Sequence, residues 1–241
     1  YRSNVCYGRS ALMLSGGGVL GFLHVGVVSE LLRQGLLPRV ISGSSAGSIV
    51  AAALAAYTDE EMAELDLVGM MDSDDDVSKS VLWQWVSGMG SRLTAEDTEK
   101  LIAETIPDLT FAEAYAKTGR QVSITVAPAE PHQRSRLLNA VSSPNVYLRS
   151  AAMASCAIPG VFPAVMLQAK NELGESQPYL PARRWVDGSV ADDLPAKRLS
   201  RLFSTNHYIV SMVNPIARAF LPRDDKVRPL RQAATFLGMG I

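Results

Sequence analysis

One five-residue segment has the residue types and spacing of a serine nucleophile. Residues 43–47 read Gly-Ser-Ser-Ala-Gly and stand between two apolar runs. Small residues around a central serine permit the sharp strand-to-helix turn that exposes its hydroxyl at a helix N-terminus, where the helix dipole favours developing negative charge. The pattern predicts Ser45 as a nucleophile for acyl transfer, since neither Ser42 nor Ser44 holds the central position.

A run of three glycines could supply the hydrogen-bond donors that such a nucleophile needs. Gly16, Gly17 and Gly18 follow the first apolar run, and glycine amides can converge on an anion. The spacing also matches the dinucleotide fingerprint G-x-G-x-x-G, which needs an acidic residue at the tip of the next strand. That tip, at residues 41–44, holds no carboxylate. The sequence therefore favours an oxyanion hole, in which each donor contributes roughly 3–4 kcal/mol, over a phosphate cradle.

The base that would activate Ser45 is better sought among the carboxylates than among the three histidines. His24 falls inside the first apolar helix and is predicted to be a hydrogen-bonded core residue, while His132 lies in a polar loop and His207 begins a strand. Asp187 follows an apolar pair and precedes a glycine, as at a strand end that turns over a site. Partial burial raises the proton affinity of a carboxylate, so Asp187 could act as the direct base.

The elements that must hold these residues follow from the hydrophobic pattern. Short apolar strands at residues 11–15 and 39–42 are each followed by an apolar helix, at 19–34 and 49–57. Strand, helix and parallel strand in this order imply a right-handed crossover, which places both glycine-marked junctions at the carboxyl edge of one sheet. Further helices are predicted at 59–70, 95–105, 111–117, 146–156 and 194–203, and further strands at 121–127, 136–139 and 207–213.

Two groups of aspartates are predicted to have structural roles only. Asp192 and Asp193 stand directly before the helix at 194–203, and we expect them to cap it. The acidic run at 72–76 lacks the glycine turn and terminal glutamate of a calcium loop, so it is predicted to be a solvated linker. We therefore expect no metal site.

Composition excludes several other classes of protein. The chain has 241 residues, 47% apolar and 20% charged, so it can bury a full-sized core and does not have the composition of a disordered chain. With 23 basic and 24 acidic residues it has no bulk charge for nucleic acid, and no apolar stretch is long enough for a transmembrane helix. Its two cysteines favour a reducing compartment. Because it begins Tyr-Arg-Ser-Asn and ends inside a helix-like stretch, residues 1–241 are expected to be one catalytic domain of a longer protein.

Together these motifs resemble the patatin-like phospholipase family. The glycine run at 16–18, the elbow at 43–47 and the acidic strand end at 187–188 have the order and spacing of that family. The segments 184–189 and 206–215 are similar to the branch that contains the storage-lipid triacylglycerol lipases of yeasts and plants. The resemblance covers most of the chain.

The resemblance implies a fold and a set of site residues. The fold is a three-layer α/β arrangement with a mostly parallel central sheet and a nucleophile elbow. Ser45 would be the nucleophile and Asp187 its base, in a Ser–Asp dyad without histidine. Gly16, Gly17 and Gly18 would supply the amides of the oxyanion hole.

The activity that the resemblance implies is hydrolysis of lipid acyl esters, of the triacylglycerol lipase or phospholipase A type. Leu20 stands where the family often has Arg or Lys, which bears on phospholipid head-group preference rather than on catalysis. Two alternatives stay open: a lysophospholipid acyltransferase that uses the same acyl-enzyme, and a catalytically inactive lipid-binding domain. No cofactor is implied, and the expected setting is cytoplasmic, in peripheral contact with a membrane or lipid droplet.

Overall fold

The computed structural model of the chain describes residues 8–64, 94–130 and 132–213. Its elements in chain order are β1 (Arg9–Leu14), a 3-10 helix (Gly18–Phe22), α1 (Leu23–Arg33), β2 (Val40–Gly43), α2 (Ala46–Ala56), α3 (Asp59–Glu64), α4 (Ala95–Thr105), α5 (Phe111–Thr118), β3 (Gln121–Pro128), β4 (Arg136–Asn139), α6 (Leu148–Cys156), β5 (Gln168–Lys170), β6 (Ser176–Pro178), β7 (Trp185–Asp187), α7 (Ser189–Asp192), α8 (Ala196–Phe203) and β8 (Thr205–Ser211). Within these ranges no helix has both the length and the apolar character to cross a bilayer.

A mostly parallel six-stranded sheet forms the middle of the structure. Five of its strands lie in the order β4-β3-β2-β1-β8, and the β1–β2, β2–β3 and β1–β8 pairs are parallel. β4 and β7 both pair antiparallel with β3, while β5 and β6 form a separate two-stranded sheet. The predicted parallel pairing of the first two strands is confirmed, and so is the pairing of strand 136–139 with strand 121–127.

The position of β7 brings two strand ends together. Ile124 of β3 pairs with β4 on one edge and with Gly43 of β2 on the other. Val126 likewise pairs with β4 on the first edge and with Asp187 of β7 on the second. β2 and β7 therefore lie along the same edge of β3 and point their carboxyl ends at each other. The residues that follow β2 consequently meet the last residue of β7.

Apolar side chains cover both faces of the sheet, which gives the three layers that were expected. Successive residues of a strand point to opposite faces. Leu12 and Leu14 of β1 belong to a large core with α2, α4, α5 and α6, whereas Ala11 and Met13 pack in a smaller core with α8. Helices on both sides hold the sheet, and its carboxyl edge stays available for a site.

The predicted elements differ from the observed ones mainly at their ends. The single helix predicted at 19–34 is divided into the 3-10 helix and α1, because the glycines at its start are poor helix formers. Gly35 follows α1 with a φ of 66°, as expected of a glycine that ends a helix. The prediction for 59–70 is met as far as Glu64, and the acidic run at 72–76 lies outside the described residues.

A buried arginine holds the carboxyl end of α2. The Arg120 side chain is 6% exposed, and its Nη1 donates to the carbonyl oxygens of Leu54 and Tyr57, each at 2.6 Å. Its Nη2 donates to the exposed carboxylate of Asp59. The last carbonyls of a helix have no partner within the helix, and a cation there is favoured by the helix dipole. Arg120 thus fixes the helix whose first residue follows Ser45.

Replacing Arg120 by Met keeps the apolar stem of the side chain but removes its donors. We expect the free energy of unfolding to fall by about 3 kcal/mol, because buried carbonyl oxygens lose charged hydrogen bonds. Urea unfolding would measure this loss. Asp59→Asn is the control and is expected to cost less than about 1 kcal/mol, since it removes only the solvent-exposed partner. Equal losses in the two variants would contradict the capping role of Arg120.

Candidate active site

Ser45 lies at a strained turn between β2 and α2. Its φ is 50° and its ψ −127°, a conformation that costs a non-glycine residue about 1–3 kcal/mol. Gly43 and Gly47 make the turn possible: a Cβ on Gly43 would lie 2.3 Å from the Gly47 carbonyl oxygen, and one on Gly47 would lie 2.4 Å from that of Leu14. The close approach explains why the sequence needs glycine at both positions. Ser45 is 5% exposed and stands at the N-terminus of α2.

Hydrogen bonds hold the strained backbone of Ser45 on both sides. Its N–H donates to Oγ of Ser155 at 2.9 Å, and that hydroxyl donates to the Thr125 carbonyl oxygen at 2.8 Å. Its own carbonyl oxygen accepts from Oγ of Ser48 at 2.6 Å. Sequence reasoning did not find this role of Ser155, because nothing in the spacing shows that a serine of α6 faces the elbow.

Asp187 ends β7 beside the elbow and is buried, with 2% exposure. The Ser45 side chain lies near enough to this carboxylate to lower its pKa. Its Oδ1 accepts from the backbone N–H of Ser189 at 2.8 Å, and its own N–H donates to the Ala157 carbonyl oxygen at 2.9 Å. Burial raises the pKa of the Asp187 carboxyl above its ordinary value, although the hydrogen bonds from Ser189 and Ser45 act in the opposite direction. Ser45 and Asp187 lie at the same strand junction, where β2 and β7 end along β3.

The glycine run lies on the other side of Ser45. A Cβ on Gly16 would lie 2.9 Å from Cβ of Ser189 and 3.2 Å from Cβ of Ser45, so the loop passes directly over both residues. The amide of Gly16 donates to Oδ1 of Asp193 at 2.7 Å. Among the hydrogen bonds between described residues, none is donated by the amide of Gly17 or Gly18. Of the three predicted donors, the Gly16 amide is thus already engaged by a side chain of the protein.

None of the hydrogen bonds between described residues joins a histidine to Ser45. His24 is fully buried; its Nε2 lies 2.9 Å from the Ser15 carbonyl oxygen and its Nδ1 lies 2.7 Å from Oγ of Ser211. Because a carbonyl oxygen only accepts, Nε2 carries the hydrogen and Nδ1 accepts in the neutral ring. Burial lowers the pKa of His24, opposed by the bond to Ser15. The prediction of a hydrogen-bonded core residue is confirmed, and His132 and His207 are exposed.

The prediction that Asp192 and Asp193 cap the following helix is wrong. The N-cap of α8 is Pro195, which makes no side-chain cap bond, and α8 begins at Ala196. Asp192 instead forms an ion pair with Arg198, with 3.2 Å between its Oδ2 and the arginine Nε. Asp193 reaches the glycine run. The proline explains the difference, because the residue before a proline is kept out of the helical region and the helix starts later.

Other chemistry is not favoured by these surroundings. Cys156 lies behind the elbow, and burial together with the charge of Asp187 raises the pKa of its thiol to about 12, so it stays protonated and unreactive. Within the described residues no group of three or more His, Cys, Asp or Glu side chains could hold a metal ion. The glycine fingerprint leads into a 3-10 helix rather than directly into an α-helix N-terminus, which does not suit a phosphate cradle.

Comparisons with known proteins find similarity to one family over most of the chain. Residues 12–200 match the Patatin family model, described as patatin-like phospholipase. The chain is 43% identical to triacylglycerol lipase 4 of Saccharomyces cerevisiae over 86% of its own length and 24% of that protein. It is 39% identical to triacylglycerol lipase SDP1L of Arabidopsis thaliana over 92% of its length and 30% of that protein. It therefore spans less than a third of the length of these relatives.

Similarity to solved structures is more distant. The crystal structure of VipD from Legionella pneumophila is 14% identical, with a TM-score of 0.42, over 88% of this chain and 52% of that one.

The burial of Asp187 has a consequence for stability that can be measured. A carboxyl whose pKa is raised by folding stabilises the fold most below its unfolded value of 3.8, and this contribution is lost as the pH rises through the folded pKa. Asp187→Asn should therefore raise the Tm at pH 7 by a few degrees, and the gain should shrink as the pH is lowered to 4. Thermal unfolding across this range tests the sign, with Glu172→Gln, which alters an exposed carboxylate, as the control. A lower Tm for Asp187→Asn at pH 7 would contradict it.

Proposed function

The chain belongs to the patatin-like phospholipase family, and we propose that it is the catalytic domain of a serine lipid acyl hydrolase that uses Ser45 and Asp187. The observation that carries the proposal is that the ends of β2 and β7 bring the buried side chains of Ser45 and Asp187 to one junction, beside a loop of glycines. A buried carboxylate with a raised pKa can take a proton that an exposed one would leave in place. No imidazole is needed for this transfer.

In the proposed first step, Asp187 accepts the proton of the Ser45 hydroxyl while Oγ attacks the carbonyl carbon of an acyl ester. The negative charge that develops on the carbonyl oxygen is stabilised by the Gly17 and Gly18 amides and by the N-terminus of α2. The intermediate then breaks its ester C–O bond, and the leaving alkoxide takes the proton from Asp187 and departs as an alcohol. An acyl-Ser45 ester remains.

In the second step Asp187 accepts a proton from water, which attacks the acyl-enzyme carbonyl. The second tetrahedral intermediate breaks its bond to Oγ of Ser45, and Asp187 returns the proton to that oxygen. The fatty acid leaves and the site is restored. If the hydroxyl of a lysolipid replaces water, the same intermediate gives acyl transfer, which is the alternative in the same class.

Exposed apolar side chains beside the site support a lipid substrate. Val190 follows Ser189 and is 75% exposed, and Val161, in the turn after α6, is 66% exposed. Ala157, at the end of α6, accepts the backbone hydrogen bond of Asp187, so this turn is tied to the site. We propose that the site meets an apolar substrate at a membrane or lipid-droplet surface. The names of the relatives place triacylglycerol first among the lipids to be tested.

The nucleophile can be tested with a fluorophosphonate probe, which reacts only with an activated serine. We expect stoichiometric labelling of Ser45, located by mass spectrometry, and loss of at least about 1,000-fold in the rate of 4-nitrophenyl butyrate hydrolysis in Ser45→Ala. Ser200→Ala, which alters an exposed serine of α8, should behave as the wild type. A Ser45→Ala protein that hydrolyses 4-nitrophenyl butyrate at the wild-type rate would contradict the proposal. A folded wild-type protein that is never labelled would favour an inactive lipid-binding domain.

Product analysis separates the remaining substrate classes. Triacylglycerol and phosphatidylcholine emulsions would each be offered with and without a lysolipid acceptor. Free fatty acid as the main product supports the hydrolase, whereas reacylated lysolipid supports the acyltransferase.

The pH profile tests the identity of the base. If Asp187 is the base, kcat/KM should rise with pH along an acid limb, because the carboxylate is the active form and its pKa is raised above the ordinary value. The limb should be unchanged in His132→Ala and His207→Ala, and Asp187→Asn should have no measurable activity at any pH. Loss of the limb in either histidine variant would overturn the assignment.

A further inference from the structure

Asp193 connects the two loops that flank the Ser45 hydroxyl. Its side-chain Oδ1 accepts from the amide of Gly16 at 2.7 Å. Its backbone carbonyl oxygen accepts from Oγ of Ser44, the residue before the elbow serine, at 3.0 Å. One half-buried residue thus contacts the glycine run through its side chain and the elbow through its main chain.

The peptide units of the glycine run are fixed one after another. The amide of Gly16 is held by Asp193, and its carbonyl oxygen accepts from Oγ of Ser15 at 2.9 Å. A trans peptide is planar, so the N–H of Gly17 points opposite to the Gly16 carbonyl. The carbonyl oxygen of Gly17 accepts from the amide of Leu20 at 3.2 Å, which sets the direction of the Gly18 N–H in the same way.

This chain of bonds matters because glycine has no side chain to restrict its backbone. Consecutive glycines can adopt many backbone conformations, and an oxyanion hole stabilises a transition state only if its donors are already oriented. Gly16 is held on its N–H side by Asp193 and on its carbonyl side by Ser15. Removing either hydrogen bond would let the peptide plane between Gly16 and Gly17, which carries the Gly17 N–H, rotate.

We propose that Asp193 is a positioning residue, whose bond to the Gly16 amide orients the Gly17 amide toward the oxyanion. The inference depends on the proposed function, because it assumes that the Gly17 amide stabilises an acyl oxyanion. It assigns to Asp193 an action on the transition state through the loop, with no contact to the substrate. Since the bond needs an acceptor oxygen and not a charge, asparagine should replace aspartate at this position.

Three variants test the proposal. In Asp193→Ala we expect kcat to fall about 10- to 100-fold with KM within about twofold, since an oriented donor acts on the transition state. Asp193→Asn should recover to within about threefold of wild type, because its Oδ1 can accept the same bond. Asp192→Ala, which breaks only the ion pair with Arg198, is the matched control and should keep the wild-type kcat. The rate of fluorophosphonate labelling at Ser45 should follow kcat in all three.

Wild-type kcat in folded Asp193→Ala, a defect confined to KM, or failure of Asp193→Asn to recover would each overturn the proposal. If Asp193→Ala does not fold, amide hydrogen exchange of the wild-type protein decides: the Gly16 amide should be protected, with Gly17 and Gly18 exchanging faster. An unprotected Gly16 amide would also overturn it. A wild-type protein with a protected Gly16 amide but no labelling of Ser45 would instead refute the proposed function and leave the contact in place.

Discussion

The site depends on a carboxylate and a hydroxyl that are both buried, Asp187 at the end of one strand and Ser45 after the end of another. In bulk solvent such a carboxylate would be a poor base. Inside the protein the charge of Asp187 has lost its hydration, which raises its affinity for a proton. Burying the charge of Asp187 costs free energy, and so does the strained backbone conformation of Ser45. The surrounding structure must compensate for both.

The geometry of the sheet brings Ser45 and Asp187 together. β2 and β7 run toward each other along one edge of β3, so the end of one strand faces the end of the other. Around this junction Ser155 holds the backbone of the elbow, Arg120 holds the far end of α2, and His24 joins the ends of β1 and β8 through Ser15 and Ser211. The Ser155, Arg120 and His24 side chains are each hydrogen-bonded, which helps to keep the site rigid.

Local patterns predicted much of this arrangement. The glycines around Ser45 indicate a close backbone approach, and the apolar residues before Asp187 indicate a strand end, so the elbow and the strand end could be predicted from a few neighbouring residues. The parallel order of the first strands followed from the alternation of strand and helix. Ser155 and Asp193 could not be found in this way, because each acts on a residue more than a hundred positions away. The antiparallel direction of β7 is also set by long-range pairing, and no local pattern encodes it.

The distance along the chain between the two halves of the site has a consequence for synthesis. A chain emerging from the ribosome presents β1, β2 and the elbow long before β7, which lies near residue 187. Until β7 has paired with β3, the Ser45 hydroxyl does not have the Asp187 carboxylate beside it. A partly made chain therefore contains Ser45 without Asp187 beside it, and the two side chains meet only when the sheet is complete.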